Sequence, residues 1–255
     1  MTLVVAFACT DGAVIAADSM LTPGMGGLAT GHHHARKVRI LADHHVFAFA
    51  GDIGRAERFR ILADGRTAEA ATCAHALDHG LLLTKKIMEQ FNDTGIESAI
   101  DLDAVLAFPH GTGISVCAFM GLLQPWLLDP DHHFVALGSG KQMADPFLRF
   151  LLDLFSPTHP SVREAVFLAT WTLQHTIRTN PGGVAGPIRI VVVDRISGAF
   201  TARELSDDEI GEQEQAIADA VAKLSDWRSV IAGTARAEAS SAQQPEPPPR
   251  LPRER

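Results

Sequence analysis

The chain has 255 residues with 46% hydrophobic content, enough for a sizeable core, and a formal net charge of −8 at pH 7. An acidic chain without a basic patch is a poor binder of nucleic acid, so we predict no nucleic-acid partner. The longest apolar stretch, residues 114–128, is broken by Gly121, Gln124 and Pro125, and the N-terminus lacks the basic region of a signal peptide. These features predict a cytoplasmic protein with no membrane span.

The chain begins with two apolar runs, LVVAFAC and AVIAAD, on either side of Thr10-Asp11-Gly12. Asp-Gly between such runs predicts a β-hairpin, Leu3–Ser19, because glycine supplies the positive φ that a tight turn needs. Thr2 precedes the hairpin and follows Met1 directly, so we expect a chain without a leader. Methionine aminopeptidase removes Met before a small residue such as Thr, so we expect Thr2 to become the first residue.

A bared Thr2 would carry a hydroxyl and an α-amine on one residue. The hydroxyl needs an adjacent base, and an α-amine has an ordinary pKa of about 7.7–8.0, which suits that task. Asp18 ends the hairpin and Lys37 begins the next strand-like run, ARKVRILAD. A buried Lys37 would lower the pKa of the amine, and Asp18 would neutralise the buried lysine. The alternative is an ordinary second residue, a strand end and a solvated lysine, each without a catalytic role.

Further along the chain, apolar periodicity and turn signals predict strands, then helices, then strands again. The predicted strands after the first hairpin are Lys37–Asp43, His45–Gly51, Asp103–Pro109, Ile114–Leu122, His133–Leu137, Pro187–Asp194 and Ala199–Glu204. The predicted helices are Arg55–Ala68, Thr72–Asn92, Lys141–Phe155 and Ser161–Arg178, the last with Ser161 as a plausible N-cap. Runs of strands followed by runs of helices indicate an α+β fold. Two helix pairs outside two central sheets would give a four-layer αββα sandwich.

Beyond these elements the sequence predicts an added C-terminal helix and a tail. Ser206 and Glu209 form a capping box, and apolar residues at helical spacing follow through Trp227. After Gly233 the chain is rich in Ala, Gln and Pro and cannot form a packed core. We therefore divide the chain into a domain at 2–204, a helix at 205–232 and a disordered Pro-rich tail at 233–255.

Histidine and cysteine patterns do not predict a metal site. His32, His33 and His34 are adjacent, and neighbouring residues on a strand point to opposite faces. Neither an HExxH spacing nor a cysteine pair is present, so we predict no metal and no other cofactor. The three cysteines, at positions 9, 73 and 117, occur singly in apolar runs, as expected for core residues in a reducing compartment.

Four segments together resemble the proteasome β-type subunits, the N-terminal nucleophile (Ntn) hydrolases that include HslV. The segments are TLVVAFACTDGAVIAADS, ARKVRI, HHVFAFAGDIGRAE and VALGSGK, which occur in the family's order across most of residues 2–194. The start and the divergence elsewhere look most like bacterial homologues, namely HslV and the betaproteobacterial proteasome homologue. The resemblance implies the Ntn hydrolase fold, which is the same αββα sandwich.

The resemblance also implies an activity and its residues. Thr2 would be the nucleophile of a threonine endopeptidase, Asp18 its acidic partner and Lys37 the catalytic lysine. Gly51 would supply the oxyanion N–H and Ser139 would support the amine. Such a site is safe only when enclosed, so the resemblance implies a homo-oligomer of stacked heptameric or hexameric rings. Peptides or unfolded proteins would be the substrates, and an ATPase unfoldase is a candidate partner.

Substrate selection and one departure also follow from the resemblance. The positions that line the first specificity pocket of the family fall on Leu21, Ala35, Phe49 and Ile53, with Thr22 as a backbone clamp. This apolar pocket predicts a medium-sized apolar side chain before the scissile bond. The family also has an acidic residue near the end of a long helix, whereas here Arg178 and Asn180 fall nearest.

Two other functions remain open from the sequence. A non-catalytic scaffold subunit would share the fold, but such subunits carry an N-terminal extension and lack the threonine. An amidohydrolase for a small non-peptide amide is also built on the Ntn fold, and a dimeric state would favour it over a ring assembly.

Overall fold

The computed structural model describes residues 2–21, 24–25, 28–29, 33–95, 102–180, 183–196 and 198–241. The strands of the first half are β1 Val4–Ala8, β2 Gly12–Ala17, β3 Met20–Leu21, β4 Gly24–Met25, β5 Leu28–Ala29, β6 His33–His34, β7 Val38–Leu41 and β8 His45–Gly51. Three helices follow, α1 Ile53–Asp64, α2 Thr67–Ala70 and α3 Ala76–Asp93. The second half comprises β9 Leu102–His110, β10 Gly113–Met120, β11 Gln124–Leu127, β12 Phe134–Leu137, α4 Lys141–Phe155, α5 Val162–Thr179, β13 Arg189–Ile196, β14 Ala199–Glu204 and α6 Asp207–Ser241.

The described strands form two five-stranded antiparallel sheets and two short two-stranded pairs. The first sheet has the order β12-β1-β2-β13-β14, and the second has the order β11-β10-β9-β8-β7. Both strands of the N-terminal hairpin are buried along their whole length, which explains their continuous apolar runs. The predicted α+β class with antiparallel sheets is confirmed.

Three apolar clusters account for the core. One contains alternate residues of both sheets, such as Val4, Ile15 and Val105, and lies between the sheets. A second packs the other face of β1 and β2 against α4 and α5. The third packs the second sheet against α1 and α3. Strand alternation therefore divides each strand between two clusters, and helical periodicity supplies the outer partner.

Several sequence predictions differ from the observed elements. The predicted helix Arg55–Ala68 begins earlier, because Asp52 accepts a hydrogen bond from the N–H of Arg55 and caps α1. It also ends at Gly65, and the short α2 follows. β11 was not predicted, since its Pro125 argues against a strand, but β11 is the edge strand of its sheet, where proline is tolerated. The predicted helix Lys141–Phe155 and the Ser161 cap of α5 are confirmed.

The C-terminal helix α6 is longer than the sequence indicated. The sequence predicted its end at residue 232, but the helix continues to Ser241 because Ala, Arg and Glu in this stretch are strong helix formers. The chain divides into two units, Met1–Gln213 and Glu214–Arg255. Val221, Leu224 and Trp227 of α6 are exposed. Within the described residues, none of the helices combines the length and apolar character needed to span a bilayer.

His45 of β8 and His79 of α3 form an unusual buried pair. Both are fully buried, their ring centroids are 6.5 Å apart, and each ring also packs against Phe108. Among the described residues, all four ring nitrogens lack hydrogen-bond partners. Burial, aided by His44 and His79, lowers the pKa of His45 to about 3. Burial likewise lowers the pKa of His79.

This pair predicts a loss of stability in acid. The unfolded histidine binds a proton below its ordinary pKa of about 6.5 whereas folded His45 does not, so stability is full above that pH and falls as the pH drops towards 3. Urea unfolding should show that the protonation of unfolded His45 alone lowers the free energy of unfolding by about 3 kcal/mol when the pH falls from 7.5 to 4.5. His45→Phe should remove that part of the pH dependence. His132→Gln, at an exposed site, should retain it, and equal pH slopes in His45→Phe and the wild type would contradict the prediction.

Candidate functional site

A glycine-serine-glycine loop between β12 and α4 holds Thr2. The N–H of Thr2 donates a hydrogen bond to Ser139 Oγ over 3.2 Å, and the N–H of Gly140 donates to the carbonyl oxygen of Thr2 over 3.0 Å. Gly138 has a φ of +87°, and a Cβ at that position would lie 2.4 Å from the same carbonyl oxygen. The loop can approach Thr2 this closely because glycine has no side chain at the contact point.

Asp18 and Lys37 form a fully buried ion pair next to Thr2. Lys37 Nζ donates to Asp18 Oδ1 over 2.7 Å, and both side chains are 0% exposed. The same carboxylate accepts a hydrogen bond from the N–H of Leu3 at 2.8 Å and from the N–H of Met20 at 3.0 Å. Burial lowers the pKa of Lys37, and the charge and hydrogen bond of Asp18 act in the opposite direction. A hydrogen bond therefore joins the pair to Leu3, the residue that directly follows Thr2.

Gly51 lies at the end of β8, where the strand turns into α1. Its φ is +114°, and Asp52, the next residue, caps the helix. The neighbouring Ala50 lies beside the Gly138 loop, because a Cβ on Gly138 would be 3.0 Å from Ala50 Cβ. The end of the second sheet thus meets the Thr2 loop of the first sheet. Four of the five predicted catalytic positions, Thr2, Asp18, Lys37 and Ser139, are connected by hydrogen bonds through Thr2 and Leu3, and Gly51 lies at the adjoining turn.

The segment after α5 accepts hydrogen bonds from Ser19, the residue that follows Asp18. Ser19 Oγ donates to the carbonyl of Pro187 over 2.6 Å, and the N–H of Ser19 donates to the carbonyl of Ala185. Val184 is fully buried against Gly140. Arg178, at the position where the resemblance leads one to expect an acid, is exposed, and Asn180 ends the helix. Pro181 and Gly182, which follow, lie outside the described residues.

The predicted pocket residues fall at two places beside the site. Leu21 is half-buried on β3, and Ala35 follows β6, with its N–H bonded to the carbonyl of Ser19. Phe49 is 8% exposed in the cluster under α1, whereas Ile53, the first residue of α1, is 47% exposed. Thr22 lies outside the described residues. In the part of the chain that the structure describes, no group of three or more His, Cys, Asp or Glu could hold a metal ion.

Gly138 and Gly140 are site residues that the sequence interpretation overlooked. The segment VALGSGK was used for Ser139 alone, yet both flanking glycines make the contacts that bring Ser139 to Thr2. Their signal is present in the sequence, since two glycines around one serine after a buried strand are typical of a close backbone approach.

Comparison with known proteins identifies the fold. No family model matches the sequence, and no curated protein matches it. Solved structures do match: an Anbu (Gly-1) mutant from Hyphomicrobium sp. strain MC1 is 18% identical with a TM-score of 0.66, and the match covers 88% of this chain and 96% of that chain. Anbu (ancestral beta-subunit) from Yersinia bercovieri is 15% identical with a TM-score of 0.68, covering 87% and 95%. The chain has an Anbu-like fold.

The Anbu likeness extends over nearly the whole chain and corrects one prediction. A structure described as a helical assembly of the Anbu complex from Pseudomonas aeruginosa matches 96% of this chain and 98% of its own, with 18% identity and a TM-score of 0.62. The predicted kinship with HslV and the betaproteobacterial proteasome homologue is wrong, because these neighbours are Anbu proteins, which are proteasome-like but distinct.

Proposed function

We propose that the chain is a threonine-type Ntn hydrolase that cleaves peptide bonds with Thr2. In this mechanism Met1 is removed, the hydroxyl of Thr2 attacks the carbonyl carbon, and the α-amine of Thr2 accepts the hydroxyl proton. The N–H of Gly51 stabilises the oxyanion of the tetrahedral intermediate. Lys37 lowers the pKa of the amine, Asp18 orients Lys37, and Ser139 supports the amine.

The observation that carries this proposal is the buried Asp18–Lys37 pair joined to Leu3. Removing two charges from water is expensive, and apolar residues of similar size often stabilise a core as well or better. A purely structural role therefore gives little reason for a lysine with a lowered pKa at this point. Groups with perturbed pKa values concentrate at catalytic sites, and this pair is hydrogen-bonded to Leu3, the residue directly after the proposed nucleophile Thr2.

Substrate selection is part of the proposal. Leu21, Ala35, Phe49 and Ile53 would form an apolar pocket, with Thr22 holding the peptide backbone. A medium-sized apolar side chain before the scissile bond would bury its surface there, whereas a charged one would lose its hydration.

We also propose that the chain works as a homo-oligomer. An open peptidase site would have to be enclosed, and Anbu from Pseudomonas aeruginosa forms a helical assembly by its description. Exposed apolar side chains on α4, namely Met143, Phe150 and Leu154, supply surface for such contacts. Stacked hexameric or heptameric rings in the cytoplasm, fed by an ATPase unfoldase, remain part of this proposal. We also propose the four-layer αββα arrangement, which the three apolar clusters support. The division of the chain into 2–204, 205–232 and 233–255 is likewise a proposal.

Intact mass and N-terminal sequencing, before and after treatment with a peptide epoxyketone, test the nucleophile. The reagent reacts with a hydroxyl and a free α-amine on the same residue, so a chain beginning at Thr2 should gain one inhibitor mass. Thr2→Ala should gain none. Epoxyketones with an apolar residue next to the reactive group should react faster than acidic or basic analogues, in keeping with the proposed pocket.

Other outcomes of this experiment separate the alternatives. A chain that retains Met1, or begins at Thr2 and never reacts, would indicate a non-catalytic scaffold subunit. A reactive dimer by native mass that hydrolyses small amides and leaves peptides intact would indicate the amidohydrolase. A reactive, higher oligomer that cleaves peptides would support the proposal.

A further inference from the structure

Asp103 is a half-buried carboxylate at the end of the second sheet, where that sheet meets the Thr2 loop. It lies on β9 directly opposite Ala50 of β8. Val105 and Ala107, two and four residues further along β9, belong to the cluster between the two sheets. Because side chains alternate along a strand, Asp103 faces the same space between the sheets. Thr2 has the same relation to Val4, which is also in that cluster.

The distance from Asp103 to Thr2 is short. A Cβ on Gly138 would lie 3.0 Å from Ala50 Cβ and 2.4 Å from the carbonyl oxygen of Thr2. Directly opposed residues of antiparallel strands have Cα atoms about 4.5–5.5 Å apart. These contacts place Asp103 Cβ within roughly 11 Å of the Thr2 carbonyl oxygen, a range over which a charge acts through a partly buried site.

Lys141 approaches the same space from the other sheet. It is the first residue of α4, directly after the Ser139-Gly140 pair that holds Thr2, and it is exposed. Burial raises the pKa of Asp103, and the charge of Lys141 acts to lower it. This interaction indicates that the two side chains are close enough for one charge to act on the other.

We propose that Asp103 and Lys141 are opposed positioning charges that set the protonation state of the Thr2 α-amine. The inference rests on the proposed function. Asp103 favours the ammonium form of the amine and Lys141 favours the neutral form that can accept the hydroxyl proton. Among the described residues, the charged groups on the neighbouring elements include the Asp18–Lys37 pair, Asp52 after Gly51 and Arg178 near the end of α5. The Asp18–Lys37 pair is fully buried and bonded to Leu3, so its effect on the amine is fixed by the fold, whereas Asp103 is half-buried and Lys141 is exposed.

The test is the rate of epoxyketone modification, followed by intact mass from about pH 5 to about pH 9 on the full chain. The rate falls in acid as the amine becomes protonated. Asp103→Asn should shift this acidic limb to lower pH by about half a unit to one unit, and Lys141→Met should shift it in the opposite direction. Asp103→Glu should restore the wild-type profile.

The control is Asp194→Asn, which removes another half-buried strand carboxylate, one paired with Gly12 at the far turn of the first sheet. Its profile should match the wild type.

Coincident acidic limbs in the wild type, Asp103→Asn and Lys141→Met would overturn the inference while leaving the proposed function standing. Shifts of the same sign in both variants would also overturn it. Removing a negative charge and removing a positive charge should move the limb in opposite directions, whereas the effect of a structural disturbance does not depend on the sign of the charge. An unreactive wild type would reject the proposed function and this inference together. Should Asp103→Asn fail to fold, the exposed Lys141→Met still decides the matter by the sign of its shift.

Discussion

Lys37→Ala should lower the free energy of unfolding by about 3–5 kcal/mol. The substitution leaves the Asp18 carboxylate fully buried with its two backbone N–H donors but without a counter-charge. Urea or guanidinium unfolding at neutral pH measures the change. Epoxyketone modification of the folded variant should also be lost, because the residue that lowers the pKa of the amine has gone.

The matched control is Lys86→Ala. Lys86 makes an ion pair with Glu89 at the same 2.7 Å distance, but both of those side chains are well exposed. An exposed pair contributes little, so the unfolding curve should barely move. If the two alanine variants lost similar free energy of unfolding, the buried Asp18–Lys37 pair would contribute no more to stability than an exposed pair does.

Gly138→Ala should reduce Thr2 reactivity by about 100-fold or more, because small displacements of a reacting group have costs of this size. The new Cβ would collide with the backbone carbonyl of Thr2, which cannot rotate away as a side chain could. The rate of epoxyketone modification and the unfolding midpoint together measure the effect.

Gly198→Ala separates the collision from backbone strain. Gly198 has a φ of +90°, close to the +87° of Gly138, but a Cβ there would meet nothing within 4 Å of the described residues. It should cost about 1–2 kcal/mol of stability and leave the reactivity unchanged. Equal reactivity in the two variants would show that the Gly138 loop does not position Thr2.

The elements with strong local signals were predictable from the sequence. The Thr10-Asp11-Gly12 signal located the first hairpin, but the expected positive φ of Gly12 is wrong. Thr10 and Asp11 form the turn, and Gly12 begins β2, where a Cβ would collide with the carbonyl oxygen of Val193. Ser161, predicted as an N-cap, marked the start of α5. The strand His45–Gly51 was predicted with its observed bounds because it is a continuous apolar run ended by glycine. β11 and the division of the first helix were not predicted. The edge position that makes Pro125 tolerable is not visible in local composition, whereas Gly65, which caps the end of α1, is a local signal that the sequence interpretation overlooked.

The candidate site was predictable only in part. Thr2, Asp18 and Lys37 were selected by residue type and spacing, and Ser139 by resemblance. The hydrogen bonds that connect them depend on how the strands and the Gly138 loop come together in the fold. Asp103 carried no sequence signal, since one acidic residue at a strand start looks solvated. Its position near the Thr2 loop is inferred from the pairing of β9 with β8 and from the approach of Ala50 to Gly138.

The separation of the site residues along the chain has a consequence for folding. The hydrogen bond between Thr2 and Ser139 joins residues 137 positions apart, and the one between Ser19 and Pro187 joins residues 168 positions apart. Asp18 and Lys37 are 19 positions apart. Because closing a longer loop costs more conformational entropy, the Asp18–Lys37 contact can form before the contacts of Ser139 and Pro187. We therefore expect the arrangement around Thr2 to be complete only after both sheets have formed.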